Sequence, residues 1–409
     1  MTSGALSICY VAPGQNLLGS AGPTRNVLNL AEALGRRADV SVAFRRALSE
    51  RQETSLPVLE IDPTLQIAPE RARDDAAVRG VGVLEFVRYL RTLRRFIRRE
   101  LVRFDLVLEK SWTLSGLVAE ECRKLGVPGL VIENLVPVLG EATEGRAGWL
   151  KRPRLAAGRY LAGRYLRRSR RIIAETPMLK TAMVSHWGIP EGGISVVPLG
   201  VDRNLFRPLD QSESRLALGI DPRATVLLYS GIVDRTHNLG PAVRALCELR
   251  RPDVQLHVIG GGPLCETLER EAGSHPSALR LHGRVPYEQV PRYLAAADLC
   301  LAPYDPESFA GGEMAYSSLK IPEYLSVGRP VVSVPSGRVL DLVADGKTGF
   351  LFDNCDEAWR RFLSELPDRE TLRVMGEAAL RSRLDSWDDV AEAYLRLGRA
   401  EIARCKGAA

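Results

Sequence analysis

Short β-branched runs alternate with amphipathic helical stretches almost from one end of this 409-residue chain to the other. SICYVAP, DVSVAF, FDLVLEKS, GLVIEN and RRIIAET read as strands of the first half. TVLLYSG, VQLHVIGGG, LRLHG, DLCLAPY, RPVVSVP and TGFLF read as strands of the second. Between them lie helical stretches such as NVLNLAEALGRR, LSGLVAEECRKLG and QVPRYLAAAD. Strands that alternate with helices of this length predict parallel sheets joined by right-handed crossovers. The strands are apolar without a period of two, so both faces of each sheet are expected to be covered. The fold class is α/β.

The chain is long enough for two cores, and the break is expected at ISVVPLGVDRNLFRPLDQSESR, where a strand ends at Pro198 and Leu199 and an irregular polar stretch follows. This predicts one domain over 1–200 and another over 201–385, with a last helix in 386–409 that packs back on the first. Two doubly wound sheets of this kind are expected to face a cleft, with ligands at the carboxyl ends of the strands. No run approaches 18 apolar residues, and the N-terminal stretch lacks the basic and long apolar regions of a signal peptide. The seven cysteines are scattered, with no CxxC pair and no histidine pattern beside them. Neither a metal site nor a disulfide framework is therefore expected, and a cytoplasmic setting fits.

Charge is uneven. Residues 1–190 carry 30 Lys and Arg against 19 Asp and Glu, which leaves 26 against 31 for the remainder. The excess sits in RYLRTLRRFIRRELVR (88–103) and KRPRLAAGRYLAGRYLRRSRR (151–171), both with helical spacing. Such faces can rest on an anionic membrane as a peripheral contact, or can simply be solvated helix faces in an arginine-rich chain. No nucleic-acid motif accompanies them.

Three loops that follow strands hold the candidate site residues. GQNLLGSAGPTRN carries Gly14, Gly19 and Gly22 ahead of a helix, where glycine lets the backbone approach a ligand and helix amides attract phosphate. It does not match the dinucleotide-binding pattern G-x-G-x-x-G. The loop after TVLLYSG offers Arg235 and His237 to an anion. The third stretch, ESFAGGEMAYSSLKIPEYLSVG, is a glycine-containing loop leading into a helix. There Ser317 is the expected N-cap, with Ser318 and the next amides at the positive end of the dipole. Lys320 falls in the first turn, where a cation is disfavoured unless an anion compensates it. Glu323, three residues on, shares its face. A surface ion pair contributes little; a phosphate clamp beside a carboxylate that accepts from ribose hydroxyls is the chemical alternative, and Glu323 as a general base a second.

SSLKIPEYLSVGRPVV resembles the S-P-x-K-x-x-E-Y-x-x-x-G-x-P-V-V signature of retaining GT-B glycosyltransferases of family 4. GPTRNVLNLAEAL resembles the first helix of that family after its Gly-Gly loop, and ISVVPLGVDRNLFRP its hinge. LRLHGRVPYEQVPRYLAAADLCLAPY resembles its base-binding loop, helix and strand, and DSWDDVAEAYLRL its closing helix. The resemblance implies a GT-B fold of two Rossmann-like domains, the first on the acceptor side and the second binding the donor. It implies that Glu323 binds the nucleotide ribose, that Lys320 and Arg235 neutralise the donor diphosphate, and that Gly22 contacts phosphate or sugar through its backbone. It places the backbone of Arg284 and Val285 at the nucleobase. EKSWTLSG and IENLVP make Glu109, Glu133 and Asn134 acceptor-side candidates. Three departures stand out: Ala315 where the family has an earlier glutamate, with Glu313 or Glu307 as possible substitutes; Ala21 for the first loop glycine; and Arg235, with His237 nearby, for a fuller basic set.

The expected activity is transfer of a sugar from a UDP- or GDP-linked donor to a small-molecule or lipid-linked acceptor hydroxyl, with retention of configuration and no cofactor or metal. The alternatives on the same scaffold are a nucleotide-sugar epimerase, a sugar phosphorylase, or a non-catalytic subunit that binds nucleotide sugar.

Overall fold

The computed structural model describes residues 5–17, 22–47, 54–65, 82–133, 152–273, 275, 278–309 and 314–407. Strands β1 (Ser7–Ala12), β2 (Asp39–Phe44), β3 (Val58–Glu60), β4 (Leu106–Lys110), β5 (Gly129–Glu133), β6 (Ile172–Ala174) and β7 (Ile194–Val196) form a seven-stranded sheet in the order β3-β2-β1-β4-β5-β6-β7. Strands β8 (Thr225–Ile232), β9 (Val254–Gly261), β10 (Leu279–Gly283), β11 (Leu299–Ala302), β12 (Val331–Ser333) and β13 (Gly349–Leu351) form a six-stranded sheet in the order β10-β9-β8-β11-β12-β13. Every pairing between these strands is parallel. Among the described residues, the one strand that the sequence pattern does not announce is β3: three half-buried residues on the sheet edge are too short to show a period.

The chain forms two compact units. One ends at Gly200 and takes in Asp385–Ala409; the other holds Val201–Leu384. In the second unit, neighbouring residues of β8 go to opposite cores. Val226 and Leu228 join one apolar cluster, while Leu227 and Tyr229 join another across the sheet. That is why these strands read as continuous apolar runs. In the first unit, the Trp387–Gly407 helix lies against β4 so closely that a Cβ at Gly398 would come within 2.4 Å of Leu106. Its first turn is tied down by Asp388, which pairs with Arg36 at 2.9 Å and with Arg37.

The amino edge of the second sheet is held by a buried polar node. Asp298, 5 % exposed, accepts from Arg215 at 2.6 Å and from the Val226 amide at 2.7 Å through one oxygen. Its other oxygen accepts from Gln211 at 3.1 Å and Arg369 at 3.2 Å. Arg215 also donates to the carbonyls of Ala296, Pro222 and Ala224 at 2.9–3.0 Å. This node leaves the opposite, carboxyl edge free to build a site. Among the described residues, no helix is long and apolar enough to cross a membrane.

Candidate functional site

Both sheets reverse their strand order once, and an open parallel sheet has its crevice where that happens. In the second sheet the reversal falls between β8 and β11. Tyr229, near the carboxyl end of β8, and Tyr304, just beyond β11, are both completely buried there. Lys320 projects its ammonium onto them, 4.4 Å from the Tyr229 ring centroid and 5.4 Å from that of Tyr304. It also donates to the Tyr229 hydroxyl at 3.1 Å, and that hydroxyl in turn donates to the Ile232 carbonyl. Gly231 makes room for this arrangement: its φ is +143°, and a Cβ there would lie 3.1 Å from the lysine nitrogen.

Lys320 begins the helix Lys320–Ser326, with Leu319 as its N-cap and no side-chain cap bond. The expected cap at Ser317 is therefore corrected. Pro322 explains the start: as third residue it sits in the first turn, where its missing N–H is not needed. A helix begun at Ser318 would make it the fifth residue, where the N–H is needed and the ring meets the preceding turn. Ser317 and Ser318 are instead buried in the segment that precedes the helix, and the Ser318 hydroxyl accepts from Tyr304. Tyr324 of the same helix accepts from the Ser230 amide at 2.9 Å, which fixes the helix to the end of β8.

The electrostatics follow from this packing. Lys320 is partly accessible, but its ammonium lies among rings, and burial pulls its pKa down from 10.5 to about 7. Asp234 and Glu323 oppose that fall from a distance. Among the described residues no carboxylate comes within 4.0 Å of it. His237 sits beside the cluster, its ring centroid 5.3 Å from Tyr304. Its Nδ1 lies 2.9 Å from Asp234 and its Nε2 3.4 Å from the Tyr316 hydroxyl. Burial, then the charge of Lys320, lowers its pKa to about 4 against the pull of Asp234. It is thus a neutral imidazole at pH 7, with Nδ1–H donating to the carboxylate. The positive charge of this cluster is therefore that of Lys320, with His237 contributing none.

Glu323, 7 % exposed, lies one turn from Lys320 and accepts from the Tyr287 hydroxyl at 2.8 Å. Tyr287 opens the 3₁₀ turn Tyr287–Gln289, directly after Arg284, Val285 and Pro286. Arg284 is exposed, and its stem passes beside Gly261 at the end of β9; Val285 packs on the core. Lys320, Glu323, His237, Arg284 and Val285 are thus all held in the one unit. Arg235 is different: its side chain is exposed, and it makes no hydrogen bond or ion pair among the described residues. Glu313 lies outside the described residues, while Ala315 is buried and Glu307 sits in the Pro306–Ser308 turn.

In the first unit, Gly22 starts the Gly22–Gly35 helix, and a Cβ there would meet no atom within 4 Å. Glu109 has a structural position. Its buried carboxylate accepts from Trp112 Nε1 at 2.8 Å, the Gly116 amide at 2.9 Å and the Ala119 amide at 2.8 Å. It thereby caps the Leu117–Lys124 helix. Burial raises its pKa to about 7 against those bonds. Glu133 is buried at the end of β5; Asn134 lies outside the described residues. A charged pair not anticipated from sequence lies nearby: Lys110 donates to Glu175 at 3.0 Å, both about 1 % exposed, and Asn26 supports the carboxylate. The site residues missed from sequence are Tyr229, Tyr304 and Tyr287. The first two stand within apolar runs and carry no polar signature of their own.

Two family models match the chain: "Glycosyltransferase Family 4" over residues 21–205, and "Glycosyl transferases group 1" over residues 224–367. A D-inositol 3-phosphate glycosyltransferase of Arthrobacter sp. (strain FB24) is 31 % identical over 298 residues, covering 68 % of this chain and 66 % of that protein. A GDP-mannose-dependent alpha-(1-6)-phosphatidylinositol monomannoside mannosyltransferase of Mycolicibacterium smegmatis is 33 % identical over 207 residues, covering 48 % and 53 %. The matched part thus spans just under two thirds of the first relative and about half of the second. Among solved structures, sucrose-phosphate synthase from Thermosynechococcus elongatus superposes with a TM-score of 0.73 at 19 % identity, covering 98 % of this chain and all of that one.

Proposed function

Since the chain belongs to glycosyltransferase family 4 and has its GT-B fold, we propose that it transfers a sugar from a nucleoside diphosphate sugar to an acceptor hydroxyl with retention of configuration. The observation that carries this reading is the ammonium of Lys320, set at the strand-order reversal of the second sheet with no carboxylate within 4.0 Å among the described residues. A desolvated cation with no carboxylate in contact, opposed only from a distance by Asp234 and Glu323, is a site prepared for an anion. The diphosphate of a UDP- or GDP-linked sugar supplies one, and its negative charge grows as the glycosidic bond breaks. Lys320 stabilises that leaving group, Glu323 accepts from the ribose hydroxyls, and the Arg284–Val285 backbone meets the base. In this reading Val201–Leu384 binds the donor, and the unit holding Gly22 and Glu133 serves the acceptor. The test is a screen of UDP- and GDP-linked sugars against polyol, sugar-phosphate and lipid-linked acceptors, read by released nucleotide and product mass. Nucleotide release coupled to a mass gain of one sugar is expected. Turnover only with inorganic phosphate, or binding without turnover, overturns the transferase reading.

A peripheral membrane contact is the second part of the proposal, and it concerns one helix. Val83–Glu100 buries Tyr89, Leu93, Phe96 and Ile97 and turns six arginines outward along its length, with Leu84 86 % exposed near its start. A basic face with an exposed apolar end suits an anionic surface. Flotation with vesicles containing phosphatidylglycerol is expected to carry the protein at low salt and release it at high salt. Protein that stays at the bottom of the gradient at low salt removes this reading.

A further inference from the structure

We infer that Tyr287 is a positioning residue for donor binding, its hydroxyl helping to orient the Glu323 carboxylate toward the ribose. This rests on the role proposed above for Glu323. The tyrosine hydroxyl donates to Glu323 Oε1 at 2.8 Å. Its ring is packed against the core, with Phe206 edge-on at 5.4 Å between centroids and an angle of 63°. Phe206 is itself 1 % exposed, so the hydroxyl sits at the end of a braced lever. An unrestrained glutamate samples several rotamers, and ordering it on binding weakens affinity. A carboxylate offers two oxygens with about four acceptor positions in one plane. A fixed bond to Oε1 sets that plane before the ligand arrives.

The position of Tyr287 in the chain adds the second half of the argument. It follows the Arg284–Pro286 loop immediately, and its partner Glu323 lies one turn from Lys320 on a single short helix. The Tyr287–Glu323 hydrogen bond therefore links three parts of a nucleotide site: base loop, ribose carboxylate and diphosphate cation. Tyr287 touches none of the reacting atoms; it acts through Glu323.

Tyr287→Phe isolates the hydroxyl, because it keeps the ring and its contact with Phe206. Wild type and variant are titrated with UDP and GDP and with their 2′-deoxy and 3′-deoxy analogues, alongside a thermal melt. Wild type is expected to prefer the ribonucleotide by about tenfold, the scale of one hydrogen bond to a charged group. In the variant that preference is expected to fall to about threefold or less, with donor KM up, kcat within about twofold and an unchanged melt. Equal weakening of ribo- and deoxyribonucleotides, or full retention of the preference, overturns the inference while leaving the role of Glu323 intact. No preference in wild type, or no binding of either nucleotide, overturns the role of Glu323 itself and the inference with it.

Discussion

Lys320→Met is expected to lower turnover of the nucleotide-sugar donor by about a hundredfold to a thousandfold, the range seen when one preorganised donor to a developing anion is removed. The chain is expected to remain folded. Methionine has nearly the same length, lies comfortably over the rings of Tyr229 and Tyr304, and removes a charge that burial disfavours. An equal or higher melting temperature with lost activity is therefore the signature. Wild-type activity in the variant, or loss through unfolding, would sink the assignment.

The same lysine fixes the sign of two pH effects. Its pKa in the free protein is about 7, against 10.5 for an ordinary lysine. Of the groups around it, His237 is neutral, the tyrosines titrate far higher, and Asp234 and Glu323 supply the opposing negative charge. A diphosphate beside the ammonium raises its proton affinity, so donor affinity is greatest below pH 7 and weakens as pH rises above it. Binding at pH 8 should take up a proton, measurable by calorimetry in buffers of different ionisation enthalpy. Folding runs the other way. The unfolded chain keeps this proton up to about pH 10, so free wild type gains stability as pH rises from about 7 through that window. Lys320→Met lacks both dependences.

Much of this was legible in the sequence, and what was not has definite causes. The alternation of apolar runs and amphipathic helices gives both parallel sheets, because strands covered on both faces keep their apolar character throughout. Lys320 and Glu323 are visible because two charges before a buried strand conflict with their surroundings, and such conflict marks a site. Tyr229, Tyr304 and Tyr287 carry no such conflict. A tyrosine in a strand reads as core, and only the fold shows that its ring bears a cation or its hydroxyl a carboxylate. At Ser317 a favourable cap residue is overridden by the constraint that Pro322 imposes four residues downstream of Ser318, and the helix starts at Lys320 instead. In the sequence a carboxylate at a strand end looks the same whether it caps the next helix or faces a ligand; only the structure shows the three internal hydrogen bonds by which Glu109 caps a helix.

The largest loss of stability is expected at the edge of the second sheet remote from Lys320. Asp298→Ala should cost about 3–5 kcal/mol, the scale for breaking a buried ion pair from one side. Arg215 would keep its bonds to three backbone carbonyls and so remain buried with its charge. It would lose the only carboxylate that it reaches among the described residues, and the Val226 amide would lose its acceptor. An unpartnered amide at the head of β8 adds its own desolvation cost. The measurement is a urea titration of wild type, Asp298→Ala and the double variant Asp298→Ala with Arg215→Met. The double variant should recover part of the loss, because it removes the stranded charge and fills the space with an apolar chain of similar reach. A single variant within about 1 kcal/mol of wild type would show that the remaining carbonyls satisfy Arg215. In that case the strand order at β8 and β11, and with it the placement of Tyr229 and Tyr304 beneath Lys320, is held by apolar packing instead of by this node.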